Sequence, residues 1–314
     1  MWKRMPNSIS GPTRALDEVL SRLDDENPFP TLTSAKCLHC FSDYSGDHKQ
    51  SRFETYSFLV CDLEQSTDAI ASLQSLRQAE IRDSRRFKFQ KLGRDVILDR
   101  CVPAFWDAAN RTMGVVFIVG VDKGLDTLSR SKHGRDRDPD LARMVDRLPA
   151  NTRERLQRIL HFASLFVAAL SSPGQDVLWV TDEDEIAANP ERRSNFVDLF
   201  RNLASHYLQH DLSGLDAAVL GEVHPTDLAE DLASVPDFLA GAWAEALARR
   251  ATSFYTLPSG LLVPIDAALS ARARRVLDLA GARRQRLRHV PVIIEGTTTP
   301  GELRVQYIEY RSAA

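Results

Sequence analysis

The sequence predicts an α/β protein in which helices cover a mixed β-sheet, and three observations lead to this prediction. Two strand-like stretches, 36–42 and 53–62, are close enough in the chain to form an antiparallel hairpin, and the second is rich in β-branched and aromatic residues. After them, strand-like and helix-like segments alternate, which is typical of a layered α/β fold. The run 114–121 is apolar at odd and even positions alike, which predicts a strand covered by helices on both faces.

Hydrophobic spacing divides the chain into three predicted parts. Residues 1–34 form an N-terminal arm with one short amphipathic helix around Leu16 and Leu20. Residues 35–250 contain the hairpin and the alternating elements, and they form the main domain. Residues 251–314 form a small α+β appendage, in which one helix precedes a hairpin.

Each element within these parts follows from its periodicity. The predicted strands lie at 36–42, 53–62, 87–89, 114–121, 176–181, 216–221, 290–295 and 303–310. The predicted helices, with apolar residues three and four apart, lie at 66–82, 94–109, 152–170, 194–209, 235–249 and 265–280. The segment 130–146 is dense in mixed charge and poor in apolar residues, so we predict a solvated insertion there.

Composition and charge exclude several classes of protein. Charged residues make up 26% of the chain and hydrophobic residues 43%, close to globular averages, which argues against a disordered or coiled-coil protein. The net charge of −3 excludes a general electrostatic coat for nucleic acid but leaves room for a local basic face. No apolar run approaches the roughly 20 residues of a membrane helix and no signal peptide is indicated, so we expect a cytoplasmic protein without membrane contact.

The sequence Cys-Leu-His-Cys at 37–40 has the spacing of half a zinc site. It lacks a second pair, because Cys61 and Cys101 each stand alone. The segment around it is strand-like, and residues three apart on a strand point to opposite faces. We therefore predict that these cysteines are small residues of a central strand rather than zinc ligands.

Acidic residues stand where several predicted strands end. Asp43, Asp122, Asp182 and Glu222 each follow a strand, and Asp237 opens the last helix of the main domain. Functional groups of α/β sheets gather at the carboxyl ends of strands, so several of these carboxylates could converge. Carboxylate oxygens are the ligands that Mg²⁺ prefers, and two such ions can clamp the attacking water and the leaving oxygen of a phosphodiester.

Each acid also has an ordinary structural interpretation. Asp43 begins an Asp-x-Ser-Gly sequence that is typical of a turn, and Asp182 belongs to a run of four acids that could form a solvated loop. Asp122 could pair with its neighbour Lys123 at the surface. Asp237 stands three residues after Ser234, which is the spacing of a helix capping box.

Three motifs occur in an order that resembles a known family. They are Asp-Tyr-Ser-Gly at 43–46, Trp-Val-Thr-Asp-Glu at 179–183, and the small-residue-rich Val-Pro-Asp-Phe-Leu-Ala-Gly-Ala at 235–242. Over about residues 36–250 the chain is similar to the bacterial domain of unknown function 3800. Each motif alone is weak, and their order gives the resemblance its specificity.

That family is thought to be ribonuclease H-like. The resemblance therefore implies a ribonuclease H-like fold for the predicted mixed sheet. Such enzymes take acids from the first strand, a neighbouring later strand and the last helix. The resemblance thus implies Asp43, Asp182 and Asp237 as catalytic residues and as ligands of Mg²⁺ or Mn²⁺. Four further acids at or after predicted strand ends are second-tier candidates for metal ligands: Asp122, Glu183, Asp184 and Glu222.

Two features near these acids bear on that implication. Ribonuclease H itself adds a Glu from its first long helix, whereas the predicted helix 94–109 offers only Asp residues. Gly241 lies four residues after Asp237, on the same face of the helix, and would let that helix approach the sheet closely. The alternative is that Gly241 serves tight packing alone.

Two basic runs could contact phosphates. The first belongs to the appendage, and its predicted nucleic-acid-binding residues are Arg272, Arg275, Arg283, Arg284, Arg286 and Arg288. The second run spans 82–94 and contains Arg86, Lys88 and Lys91. The alternative for either run is a solvated, charged face, and we rank the second run below the first.

Three functions compete at this point. The first is a metal-dependent nuclease that hydrolyses DNA or RNA, and the second is a non-catalytic ribonuclease H-like module that binds nucleic acid or a protein partner. The third, a phosphatase with Asp43 as nucleophile, is weakest, because the chain has Asp-Tyr-Ser where haloacid-type enzymes have Asp-x-Asp. No Walker-type glycine loop and no Gly-x-Ser-x-Gly elbow occurs in the sequence, which argues against NTPases of that class and α/β-hydrolases.

Overall fold

A computed structural model provides the architecture of the chain. It describes residues 11–25, 32–46, 51–80, 86–125, 150–182, 190–220, 227–248, 254–256, 262–264, 269–281, 286–296 and 303–307. The predicted insertion at 130–146 lies outside these ranges. All statements below concern the described residues.

A seven-stranded mixed sheet organises the fold. Its strands are β1 (Cys37–Ser45), β2 (Phe53–Asp62), β3 (Met113–Asp122), β4 (Asp176–Thr181), β5 (Gly214–Val219), β8 (Leu287–Gly296) and β9 (Leu303–Tyr307). They lie in the order β5-β4-β1-β2-β3-β8-β9, and only β2 and β9 run against the other strands. A separate two-stranded sheet consists of β6 (Phe254–Thr256) and β7 (Leu262–Pro264).

Helices cover both faces of the large sheet. They are α1 (Pro12–Asp25), α2 (Thr67–Glu80), α3 (Val96–Ala109), α4 (Ala150–Leu170), α5 (Pro190–Tyr207), α6 (Asp227–Ala248) and α7 (Ala271–Ala280). One hydrophobic cluster joins α2, α3, α6 and α7 to the sheet, and a second joins α1, α4 and α5 to the opposite face. In the ranges described above, no helix combines the length and apolar character that crossing a membrane requires.

The central strands are buried on both faces because their side chains alternate between the two clusters. Phe41 of β1 belongs to the first cluster and its neighbour Cys40 to the second, and Ile118 and Phe117 of β3 divide in the same way. The predicted hairpin is confirmed, since β1 pairs with β2 in antiparallel register. The predicted α/β architecture with a helix-covered mixed sheet is confirmed as well.

The zinc-like motif at 37–40 lies in β1, as the strand interpretation predicted. Cys40 is buried in the second cluster, whereas Cys37 is only half-buried and lies near His39 on its own strand. Burial raises the pKa of the Cys37 thiol, and the nearby Asp176 adds to that effect. A raised thiol pKa disfavours the thiolate form that binds metals.

The terminal parts are integrated with the main domain rather than set apart from it. In α1, Leu16 is fully buried in the second cluster, so this helix belongs to the core. The predicted C-terminal hairpin forms as β8 and β9, but β8 also pairs with β3 over eight positions and extends the large sheet. No separate core therefore begins near residue 250 in the described part of the chain. Local sequence patterns cannot reveal this pairing, because the two strands are distant in the chain.

Two predicted elements differ from the structure. Residues 86–88 pair with no described strand and a short 3₁₀-helix follows at Phe89–Lys91, so the predicted strand 87–89 is wrong. Helix α6 begins at Asp227 instead of near Val235 and continues through Pro236. Residues 232–234 of α6 are buried, and this burial overrides the local signals for a helix start near Val235.

Candidate active site

The structure brings Asp43, Asp182 and Asp237 to one pocket. Asp43 lies in β1, and Asp182 directly follows β4, the parallel neighbour of β1. Because Ser42 is in register with Thr181, the next residues of the two strands reach the same level at this edge of the sheet. Asp237 comes from α6, which packs across β1 and β2.

The carboxyl groups of Asp43 and Asp237 are hydrogen-bonded to each other. Burial raises the pKa of Asp43 well above its ordinary value, and the neighbouring Asp237 and Asp182 raise it further. The pKa of Asp237 is also raised by burial, although the Phe89 N–H, which donates to its Oδ2 over 2.5 Å, opposes that effect. In the metal-free protein, the proton in this pair is therefore held more tightly than on an ordinary Asp.

The raised pKa values of Asp43 and Asp237 predict how the stability of the protein depends on pH. A carboxyl whose pKa is raised by folding stabilises the native state below its unfolded pKa, and that stabilisation is lost as the pH rises through the folded pKa. We expect Asp43→Asn to gain thermal stability relative to the wild type as the pH rises from about 4 to 8, because Asn cannot ionise. Melting curves in EDTA test this, and a stability difference that does not change with pH would contradict it.

Asp182 is in a different electrostatic state, because two cations bind it. Lys88 Nζ lies 3.0 Å from its Oδ2, and Arg86 donates to its Oδ1 over 3.1 Å. Burial acts to raise the pKa of Asp182, but the charges and hydrogen bonds of Lys88 and Arg86 outweigh it, so the pKa is lowered. Arg86 also pairs with Glu230 of α6. Asp182 is therefore an ionised carboxylate inside the pocket.

Residues 86–91, which we call the basic arm, carry these two cations. The backbone at Lys88 is extended. Phe87 and Phe89 are buried, and Arg86, Phe87 and Lys88 all line the pocket. The Phe87 ring lies 4.6 Å from that of Phe105, which anchors the arm to α3. The alternating Arg-Phe-Lys-Phe was the signal in the sequence, but it was hidden within a run of basic residues.

Gly241 makes room for the basic arm, whereas the sequence suggested that it brings the helix close to the sheet. A Cβ atom at position 241 would lie 2.3 Å from Phe89 Cδ1 and 2.9 Å from Phe89 Cβ. The other side of the Phe89 ring faces the Arg272 guanidinium, whose Cζ is 4.7 Å from the ring centroid. Phe89 is thus held between α6 and an arginine of α7.

We expect Gly241→Ala to displace the basic arm. Overpacking of this kind costs about 1–3 kcal/mol, and better helix propensity returns about 1 kcal/mol, so the free energy of unfolding should fall by about 1 kcal/mol. In a Phe89→Leu background the same change should cost less, because the smaller side chain can move. Urea unfolding of the four proteins measures this coupling, and additive effects would contradict the contact.

The turn suggested at Asp43 and the helix cap suggested at Asp237 are both wrong. The predicted turn at 43–46 is replaced by β1, which continues to Ser45 before Gly46 adopts a positive φ of 88°. The predicted capping box is absent, because Ser234 lies inside α6 and donates to the carbonyl of Glu230. The Asp237 side chain is thus not used as a helix cap.

Asp122 is the one second-tier acid within the described residues, and it does not line the pocket. Asp122 ends β3, which β2 separates from β1, and Arg52 binds it at 2.6 Å, so its partner is not the predicted Lys123. The Gly124 N–H also donates to Asp122. The other three candidates lie outside the described residues: Glu183, Asp184 and Glu222.

The predicted arginine cluster is divided by the fold. Arg272 and Arg275 lie on α7, where Arg272 pairs with Glu245 and Arg275 donates to the carbonyl of Asp99 over 2.7 Å. Arg286 and Arg288 lie at the amino end of β8, at the edge of the sheet opposite the acidic pocket. Arg283 and Arg284 fall outside the described residues. Of the described four, only Arg272 approaches the pocket, through its contact with Phe89.

The donor chemistry of the pocket suits a hard divalent cation, since three carboxyl groups line it. In the described part of the chain, however, no three ligand side chains are arranged as a ready metal site. Lys88 and Arg86 bind the oxygens of Asp182. Asp43, Asp237 and a released Asp182 are the residues that fit such an ion.

Comparison with family models, curated proteins and solved structures found no match for this chain. The resemblance to the domain of unknown function 3800 therefore depends on the three sequence motifs alone. Function has to be inferred from the geometry and charges of the pocket.

Proposed function

We propose that the protein is a metal-dependent nuclease that hydrolyses phosphodiester bonds in DNA or RNA. The observation that carries this proposal is the meeting of Asp43, Asp182 and Asp237 in one pocket at the carboxyl ends of β1 and β4. These acids come from the first strand, its parallel neighbour and the helix that crosses them. That origin supports a ribonuclease H-like fold, because such enzymes draw their acids from equivalent elements.

Asp43, Asp182 and Asp237 would hold Mg²⁺ or Mn²⁺. The ion would lower the pKa of a bound water and neutralise charge that develops on the phosphate. Because the pKa values of Asp43 and Asp237 are raised, affinity for the ion should rise with pH. Asp182 would have to loosen its contacts with Lys88 and Arg86 to hold the ion, and both cations would stay beside the pocket.

A second candidate is a non-catalytic ribonuclease H-like module that binds nucleic acid or a protein. The pairing of Asp182 with Lys88 and Arg86 favours it, since a pocket in which cations occupy the third carboxylate can persist without metal. The two candidates differ in one measurable property, which is cleavage.

The experiment is incubation of the protein with single-stranded and double-stranded DNA and RNA in Mg²⁺, Mn²⁺ or EDTA. We expect cleavage with metal by the wild type and by Asp216→Asn, a control at an exposed position of β5. Asp237→Asn should lose most of this activity, because it removes one anionic ligand. Undiminished cleavage by Asp237→Asn would place the activity elsewhere or in a contaminant, and no cleavage by the wild type would favour the binding module.

A further inference from the structure

Two basic side chains reach into the same pocket as the three acids. Arg86 and Lys88 line it together with Asp43, Asp182 and Asp237. Their side chains are 29% and 34% exposed, so a ligand can reach them from solvent. A pocket that holds both signs of charge can bind an anionic group on its cations while its carboxylates hold a metal ion.

The hydrogen-bonding capacity of these cations exceeds what one carboxylate can use. An ammonium has three N–H donors and a guanidinium has five. A phosphate group offers several acceptor oxygens and is a preferred partner of both side chains. Asp182, together with Glu230 on Arg86, therefore positions the cations and leaves some of their N–H donors available.

The basic arm is built to hold this position. Phe87 packs on Phe105 and Phe238, and Phe89 lies between Gly241 and Arg272. Both aromatic rings are buried, and Arg86 and Lys88 bind Asp182 next to them. This packing fixes where the two cations lie.

We propose that Arg86 and Lys88 bind a phosphate of the substrate, and that Asp182 holds them in place until that phosphate arrives. The inference deepens the proposed function and rests on it for the chemistry of the ligand, a phosphodiester backbone. It gives the site phosphate-binding residues beside its metal ligands.

The test is binding in EDTA, where no metal-dependent cleavage can occur. The probes are fluorescein-labelled oligothymidylate, oligouridylate and a DNA duplex, and fluorescence anisotropy gives the dissociation constant at several salt concentrations. Relative to the wild type, Lys88→Met should bind the preferred probe at least about 5-fold more weakly, with the salt slope reduced by about 0.7–0.9. Arg86→Met should act in the same direction, and it serves if Lys88→Met does not fold.

Two further variants sharpen the test. Lys91→Met removes the same charge from the exposed end of the basic arm and should leave binding almost unchanged. Asp182→Asn should bind the probe more tightly than the wild type, because it releases Lys88 and removes one of the two carboxylate partners of Arg86, although it should not cleave. Adding Lys88→Met should abolish this gain, whereas the loss of one negative charge alone would give the same gain with or without Lys88.

Each outcome decides the inference. Equal binding by Lys88→Met, Arg86→Met and Lys91→Met would overturn it and leave the nuclease proposal untouched. Failure of both the wild type and Asp182→Asn to bind any probe would also overturn it. Selective weakening without any cleavage in metal would support it while contradicting the nuclease.

Discussion

Replacing Asp43 by Asn is expected to slow metal-dependent cleavage by at least about 100-fold, which corresponds to roughly 3 kcal/mol of transition-state stabilisation. Asn keeps the shape of the side chain and can still hydrogen-bond to Asp237, but it cannot supply the anionic oxygen. Asp43 lies on β1, between β4 and β2 in the sheet. A neighbouring acid therefore has little freedom to move into its place. The measurement is kcat/KM on whichever nucleic acid the wild type cleaves.

Two controls separate this effect from loss of fold. Asp216→Asn makes the same chemical change at an exposed residue and should cleave like the wild type. Circular dichroism and melting in EDTA should show that Asp43→Asn is folded, since it removes repulsion within the acidic pocket. A folded Asp43→Asn that cleaves at the wild-type rate would contradict the role of Asp43.

The largest expected loss of stability comes from the ion pair between Arg77 of α2 and Asp231 of α6. Their side chains are 7% and 2% exposed, and Arg77 Nε donates to Asp231 Oδ2 over 3.1 Å. Asp231→Ala would leave the guanidinium without this partner in the core, so the free energy of unfolding should fall by about 3–5 kcal/mol. Chemical denaturation at 25 °C measures it.

An exposed pair provides the comparison. Asp107 and Arg111 are 80% and 42% exposed, and Asp107→Ala should change the free energy of unfolding by no more than about 1 kcal/mol. If Asp231→Ala lowered the free energy of unfolding as little as Asp107→Ala does, the buried ion pair would not be required for stability. Because the pair joins α2 to the helix that carries Asp237, we also expect Asp231→Ala to weaken cleavage near its melting temperature.

The sequence predicted those parts of the fold that depend on local pattern. The bounds of β2 and β4 are those predicted, because β-branched and apolar residues fill them and polar residues flank them. The start of α6 was missed, because Ser234 and Asp237 imitate a helix cap while burial continues the helix through Pro236. The pairing of β8 with β3 was missed because it joins distant segments.

The candidate site was predictable only in part. The positions of Asp43 and Asp182 at neighbouring strand ends, together with the family motifs, indicated which acids to examine. The sequence did not indicate that Lys88 and Arg86 bind Asp182, because a run of basic residues most often forms a solvated face. In the structure, the burial of Phe87 and Phe89 beside them distinguishes Arg86 and Lys88 from the other basic residues of the run.

The central claim is that Asp43, Asp182 and Asp237 hold a divalent cation, and calorimetric titration with Mn²⁺ tests it most directly. The account predicts that the wild type and Asp216→Asn bind Mn²⁺ with equal affinity, and that Asp43→Asn binds it at least about 10-fold more weakly because one anionic ligand is lost. Binding by the wild type should also release protons, since the pKa values of Asp43 and Asp237 are raised in the metal-free protein. Equal Mn²⁺ affinity of the wild type and Asp43→Asn, or no binding by the wild type, would contradict the claim.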